Sequence, residues 1–200
     1  MRKALGSIFL LLFLAVNAAS AGVEQGLDSA IFAGGCFWCM EPPFEKIQGV
    51  ISVTAGYTGG EKDNPSYEEV SAGGTGHAEA VEIRFDPSRV SYEKLLEVFW
   101  INVDPTVNDR QFCDKGRQYR PGIFYRNEAQ KKAAEASVQQ AQGRLKAPGR
   151  IVVEITPASR FYPAEGYHQD YYKRNPIRYK FYRRGCGRDK RLKELWGVES

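Results

Sequence analysis

The 200-residue chain carries four cysteines and two histidines, and the cysteines are where chemistry is most easily placed. Cys36 and Cys39 stand in "AGGCFWCMEPPF", directly after a short apolar run and two glycines. Cys113 and Cys186 stand apart, in "QFCDKGRQYR" and "RRGCGRDK". Three chemistries are open to such a set: a zinc site, a dithiol that exchanges disulfides, and a single nucleophile with a neighbour. A structural zinc site needs four ligands, usually as two close pairs. Only Cys36-x-x-Cys39 is such a pair, and neither His77 nor His168 has a partner at ligand spacing, so no metal is expected. A C-x-x-C after a strand and at a helix start is the mark of a thioredoxin-like exchanger, which remains a competitor. The loops rich in Gly, Tyr and acid that follow have no place in such a module.

Taken alone, Cys36 reads as a nucleophile at the end of a strand. The glycines let backbone approach a ligand closely, and a helix start lowers a thiol pKa. Phe37 and Trp38 would wall a pocket beside it. In "HAEAVEIRF", residues 79, 81, 83 and 85 share one face of a strand. Three of these are Val81, Ile83 and Phe85, so Glu79 lies on the buried face while Glu82 and Arg84 point outward. A buried carboxyl keeps its proton to higher pH, each pKa unit being worth about 1.4 kcal/mol, and is then a useful acid. Tyr57, Tyr67 and Tyr119 sit in polar, Gly-containing stretches, and Asp114 sits in a loop too polar to be core. Acids, tyrosine hydroxyls and a cysteine nucleophile suit a substrate whose oxygen must be protonated and removed. Two other classes fit less of the chain: a Cys-His acyl-transfer enzyme with His77 or His168 as base, and a thiol-exchanging module without turnover.

These residues need elements to hold them. Residues 30–33 read as a strand, 36–47 as a helix whose beginning Pro42 and Pro43 restrict, and 50–57 and 78–85 as strands. Ser91 caps an amphipathic helix, and Asn127 caps a long one with Gln130 placed for a capping box. "GIFYR" and "IVVEITP" are the remaining strands. The order is roughly β-α-β-β-α-β-α-β, with no full crossover helix between "GYTGG" and "AEAVEIRF". Antiparallel neighbours are therefore required, which points to an α+β sandwich of the split-βαβ kind. The tail from about residue 170 has weak periodicity and is expected to be irregular and mobile, with its basic cluster solvated.

With 42% hydrophobic and 26% charged residues, the chain reads as one soluble domain over residues 29–200. Arg2 and Lys3 precede an apolar run from Ile8 to Val16, and Ala19-Ser20-Ala21 supplies small residues for cleavage. Residues 1–21 therefore read as a secretory signal, too short for a membrane span, followed by a leader over 22–28. Export to the periplasm or exterior is expected, with no stable membrane anchor afterwards. Formal charge of +4 loses the two basic residues of the signal and falls to about +2, too little to imply nucleic acid.

"GCFWCMEPPF", "GYTGG" with "NPSYEEVS", "GHAEAVEI" and "QFCDKGRQYRPGIFY" closely resemble the A-type peptide methionine sulfoxide reductases, in family order, from about Ala30 to Gly187. The resemblance implies a ferredoxin-like sandwich, no metal or organic cofactor, and reduction of the S epimer of methionine sulfoxide in oxidised proteins by a monomer. It further implies that Cys36 attacks the sulfoxide sulfur while Phe37 and Trp38 hold the methyl group. Glu79 would protonate the oxygen, Tyr67 and Tyr119 would bond to it, and Asp114 would support them. The sulfenic acid left on Cys36 would condense with Cys186, which Gly185 and Gly187 free to swing inward, and a thioredoxin-type donor would reduce the disulfide. Many relatives lack a cysteine at position 39, and some use two tail cysteines in relay where this tail has one, so Cys39, as a second thiol, or Cys113 is left open to take part; the plainer reading of both is as buried, inert thiols.

Overall fold

Alternation of apolar residues along three strands determines the architecture of the computed structural model, which describes residues 26–197. The expected signal and residues 22–25 of the expected leader lie outside the described residues, and the last leader residue, Asp28, already belongs to the first strand. β1 (Asp28–Gly34) is central, antiparallel to β3 (Ala78–Phe85) on one side and to β6 (Pro121–Tyr125) on the other. β2 (Val50–Thr58) pairs antiparallel with β3, so the core order β6-β1-β3-β2 is that of a split βαβ sandwich. β7 (Glu154–Pro157) extends the β6 edge in parallel, and β8 (Tyr162–Pro163) extends the β2 edge. A small hairpin, β4 (Arg110–Gln111) with β5 (Asp114–Lys115), stands outside this sheet.

Helices cover one face. α1 (Phe37–Glu45), α3 (Tyr92–Trp100) and α4 (Glu128–Arg144) bring their apolar sides onto Phe32, Val81, Ile83 and Phe85. The opposite face, with Ile31, Ala33, Ala78, Ala80 and Phe124, is covered by Ala158 and Phe161 from the loop before β8. Alternation in β1 and β3 thus sends successive side chains into two separate apolar clusters. A short helix, α2 (Tyr67–Ala72), starts at a capping box in which Ser66 accepts from Glu69 N–H and Glu69 accepts from Ser66 N–H. Ser91 and Asn127 cap α3 and α4 as their types predict. The expected capping box at α4 is displaced by one residue: Gln130 accepts from Arg126 N–H, and its amide donates to Ser29 O in β1.

The chain after residue 170 is the main departure from expectation. It forms α5 (Tyr171–Arg174), α6 (Pro176–Gly185) and α7 (Arg188–Trp196). Leu192, Leu195 and Trp196 enter the main core, and Trp196 Nε1 donates to Val103 O at 3.0 Å. Nor is the basic cluster simply solvated. Arg188 is only 1% exposed and Arg183 pairs with Asp189 at 2.6 Å.

Candidate active site

Cys36 is the N-cap residue of α1, placed where β1 ends. The glycines before it serve packing within the protein, not the approach of a ligand. A Cβ on Gly34 would lie 2.6 Å from Met40 Sδ, and Gly35 has φ +80° with Gln111 Cβ 2.6 Å from where its own Cβ would stand. This tight turn drives α1 inward and leaves Cys36 7% exposed. Pro42 and Pro43 fall inside α1 and withdraw the two N–H groups that would have bonded the carbonyls of Trp38 and Cys39.

Glu79, at the start of β3, reaches the same turn. Its Oε2 accepts the Phe37 N–H at 3.1 Å, and the side chain is 2% exposed, as the alternation of β3 requires. Burial raises its pKa to about 8 against the weaker opposing effect of that hydrogen bond, so the carboxyl keeps its proton at neutral pH. Cys36, Phe37, Trp38, Tyr67, Glu79, Asp114, Tyr119 and Tyr182 line one cleft of about 80 Å³. All the expected site residues except Cys186 and Cys39 are in that set. Burial pushes the Tyr67 hydroxyl up to about 12 and raises Tyr119 further, so both stay protonated donors.

Tyr57 belongs elsewhere. It is fully buried and its hydroxyl donates to Glu165 at 2.8 Å, while Glu165 also accepts the Tyr67 N–H at 2.8 Å. The histidines are structural as well. His77 accepts the Gly60 N–H, and its other ring nitrogen meets Lys62 O, closing the "GYTGG" loop. His168 Nδ1 accepts from Trp38 Nε1 at 3.0 Å, and burial lowers its pKa. No histidine lines the cleft, which leaves the acyl-transfer reading without a base.

The two thiols of α1 act together. Cys36 and Cys39 share a hydrogen bond across one turn, in which Cys39 N–H also donates to Cys36 O at 3.0 Å. Burial, that bond and the nearby Glu79 push Cys36 up, against the helix-start effect expected from sequence. Cys39 is lowered to about 6 by the same bond, against the cost of its burial, with Arg188 and Arg183 adding positive potential. Cys39 is therefore buried, as expected, with its thiol shifted toward the anion. At 1% exposure it is also poorly placed to exchange disulfides with a large partner, which weighs against the thioredoxin-like reading.

A family model described as peptide methionine sulfoxide reductase matches residues 28–200. The chain belongs to the peptide methionine sulfoxide reductase family. Peptide methionine sulfoxide reductase MsrA of Bacillus subtilis (strain 168) is 52% identical over 179 residues, covering 88% of this chain and all of that protein. Reduced Mxr1 from Saccharomyces cerevisiae superposes with TM-score 0.71 at 33% identity, over 76% of this chain and 88% of that one. The same yeast protein, solved in complex with Trx2, shares the fold at TM-score 0.52 and 21% identity, over 74% and 86% of the two chains. The reductase is an oxidoreductase whose chemistry is carried by its own thiols and an external thiol reductant, with no bound cofactor.

The remaining cysteines of the reductase depart from expectation. Cys113 is exposed, not buried, and is bonded to Cys186 with their Cα atoms 4.8 Å apart. Cys186, expected to bridge to Cys36, is thus engaged elsewhere, while Cys36 and Cys39 are free. Cys113 Sγ, Cys186 Sγ and a carboxylate oxygen of Asp114 lie within 4.8 Å of one another, but the two sulfurs are spent on each other and not on a metal.

Sequence reasoning missed the cover of the site. Tyr182, on α6, donates to Asp114 Oδ2 at 2.5 Å and hydrogen-bonds Cys36, lowering that thiol against the other effects. Tyr171 stacks flat on Trp38 at 3.7 Å with 7° between the ring planes. Arg188 donates to Gly34 O at 3.1 Å, Asn102 O at 2.6 Å and Met40 Sδ at 3.0 Å, tying α7 to the turn before Cys36. The signal that could have found α7 was present: Leu192, Leu195 and Trp196 fall at i, i+3 and i+4.

Proposed function

We propose that the protein reduces methionine-S-sulfoxide in oxidised proteins, with Cys36 as nucleophile and Glu79 as acid. The observation that carries this is the single cleft in which a thiol, a carboxyl protonated at neutral pH and two tyrosine hydroxyls converge. Cys36 sulfur attacks the sulfoxide sulfur while Glu79 gives a proton to the oxygen, with Tyr67 and Tyr119 donating hydrogen bonds to it. Collapse transfers the oxygen to Cys36 and releases methionine, leaving a sulfenic acid. Phe37 and Trp38 present an apolar wall for the methyl group, and Asp114, held by Tyr182, keeps Cys36 in place.

The sulfenic acid then condenses with a thiol and loses water. Cys39 is the free thiol in hydrogen-bond contact with Cys36, and it takes the role expected of Cys186 at this step. A thioredoxin-type donor supplies the two electrons that restore the thiols. The yeast relative solved with Trx2 supports that choice of donor.

Export is supported by Arg2, Lys3, the apolar run after them and Ala19-Ser20-Ala21. Amino-terminal sequencing of the mature protein should begin at Gly22.

The activity is tested by incubating the protein with dithiothreitol and each sulfoxide epimer separately. Methionine should form from the S epimer alone, and Cys36→Ser should form none. Turnover by Cys36→Ser, or equal use of both epimers, would overturn the assignment.

A further inference from the structure

We infer that the outward face of α6 is a docking surface for anionic lipid, on which the enzyme rests against a membrane with its cleft left open. The two most exposed large apolar side chains among the described residues are Ile177 and Phe181, at 76% and 80%. They stand one turn apart on α6 and form a single ridge, with Arg184 beside them and Arg178 and Lys180 on its two flanks. Among the described residues none of these three cations is held in an ion pair. Residues 171–188 contain no acidic side chain at all. The opposite stripe of α6 is the satisfied one. There Tyr182 donates to Asp114, Arg183 pairs with Asp189, and the Tyr179 hydroxyl accepts from Arg183.

Apolar side chains exposed singly are ordinary, but two on adjacent turns, rimmed by cations, mark an interaction site. Charge decides the occupant. A second copy of the chain would set cation against cation, whereas an anionic surface supplies the missing counter-charge. Shape decides between kinds of anionic surface. Ile177, Lys180, Phe181 and Arg184 alone wall the recess between them, so the face is the ridge of one helix and not a groove between elements. A ridge of apolar tips needs no matching pocket in a deformable bilayer. Ile177 and Phe181 enter the acyl boundary there, while the long Lys and Arg stems keep their charges among the phosphates. No described helix is long and apolar enough to cross a membrane, so the contact is peripheral. The Cys113–Cys186 bond and the Tyr182 hydrogen bond already hold α6, so the ridge needs no ordering in order to bind. Tyr182 lines the cleft from the other side of the same helix, so lipid on the ridge does not cover Cys36, and oxidised proteins at the membrane come within reach.

The experiment is co-sedimentation with vesicles. The chain from Gly22, which holds every described element, is mixed with vesicles of equimolar phosphatidylcholine and phosphatidylglycerol, or of phosphatidylcholine alone. Wild type should pellet with the mixed vesicles, bind the neutral ones at least about 10-fold more weakly, and be released by salt. Arg178→Gln/Lys180→Gln/Arg184→Gln should lose on the order of 10²-fold in affinity for the mixed vesicles. Ile177→Ser/Phe181→Ser should lose at least about 10-fold, because the apolar tips no longer insert. Both variants should keep wild-type circular dichroism and turnover of a soluble sulfoxide peptide, since the replaced side chains are exposed and outside the cleft. Failure of wild type to pellet, equal binding to both vesicles, or wild-type affinity in Ile177→Ser/Phe181→Ser overturns the inference. So does a dimer in light scattering that Ile177→Ser/Phe181→Ser disperses, which would assign the ridge to a second copy.

Discussion

The Phe37 N–H donates to Glu79 Oε2 at 3.1 Å, so the helix start that carries the nucleophile also holds the acid. One carboxyl oxygen is fixed by backbone, and burial keeps the group protonated.

Replacing Glu79 by Gln keeps the shape and the acceptor for Phe37 but removes an acidic proton. Turnover should fall by roughly 10²- to 10⁴-fold, the usual range for a general acid. Because burial raises the Glu79 pKa to about 8, wild-type kcat/KM should decline above that pH as the acid ionises. The variant should lack this alkaline limb. A variant as fast as wild type would reduce Glu79 to a packing residue.

Glu41 is a second buried carboxyl, on α1, outside the reaction. Burial raises its pKa to about 8, and its Oε1 accepts the Asp170 N–H at 3.0 Å. The folded protein keeps this proton up to about pH 8, whereas the unfolded chain loses it near 4.5. Between those values the folded state binds more protons, so stability is greatest below about 4.5 and falls as pH rises through the window. The full change for one such group is on the order of 5 kcal/mol. Glu41→Gln keeps the acceptor and cannot ionise, so its melting temperature should drop less than that of wild type between pH 5 and pH 8.5. Equal drops would show that Glu41 does not carry the effect.

Tyr182→Phe removes one hydroxyl from both Cys36 and Asp114. The lost hydrogen bond should raise the Cys36 thiol pKa and lower the single-turnover rate on the order of 10-fold. The diagnostic readout is the pH profile of Cys36 alkylation, followed by mass spectrometry. It should move to higher pH, which a loss of packing alone would not produce.

Trp196→Ala tests whether the C-terminal chain is part of the core. The indole is buried against Leu192 and Leu195 and donates to Val103 O, so truncation should cost about 3–5 kcal/mol. Urea unfolding would show this as a lower midpoint. An unchanged midpoint would restore the mobile tail expected from sequence.

The sheet and the heart of the site were legible because period-two patterning is local. Counting along β3 put Glu79 on the side of Val81, Ile83 and Phe85, and that is where it lies. Ser91 and Asn127 were readable as caps for the same reason. The pairing of Cys113 with Cys186 was not legible, since nothing local brings together residues separated by 73 positions. The tail reads as irregular and solvated in the sequence because its buried groups are unusual ones. Arg188 and Tyr182 look like surface residues until carbonyls, a sulfur and a carboxylate satisfy their polar ends. In the sequence the pair Gly34 and Gly35 suggests close ligand approach, whereas the actual cause, contact with Met40 and Gln111, is tertiary.

The cleft draws its nucleophile from α1 and its lid from α5, α6 and α7, so the site is written at opposite ends of the polypeptide. A chain made from its N-terminus releases Cys36 and Cys39 early and Tyr171, Tyr182, Arg183 and Arg188 last. Until those residues arrive, the C-x-x-C pair is bare to any oxidant or foreign thiol around it. Wherever the surroundings oxidise thiols, folding is therefore a race between closure of the wrong disulfide and the docking of α5, α6 and α7, and the working thiols are covered only once those helices are in place.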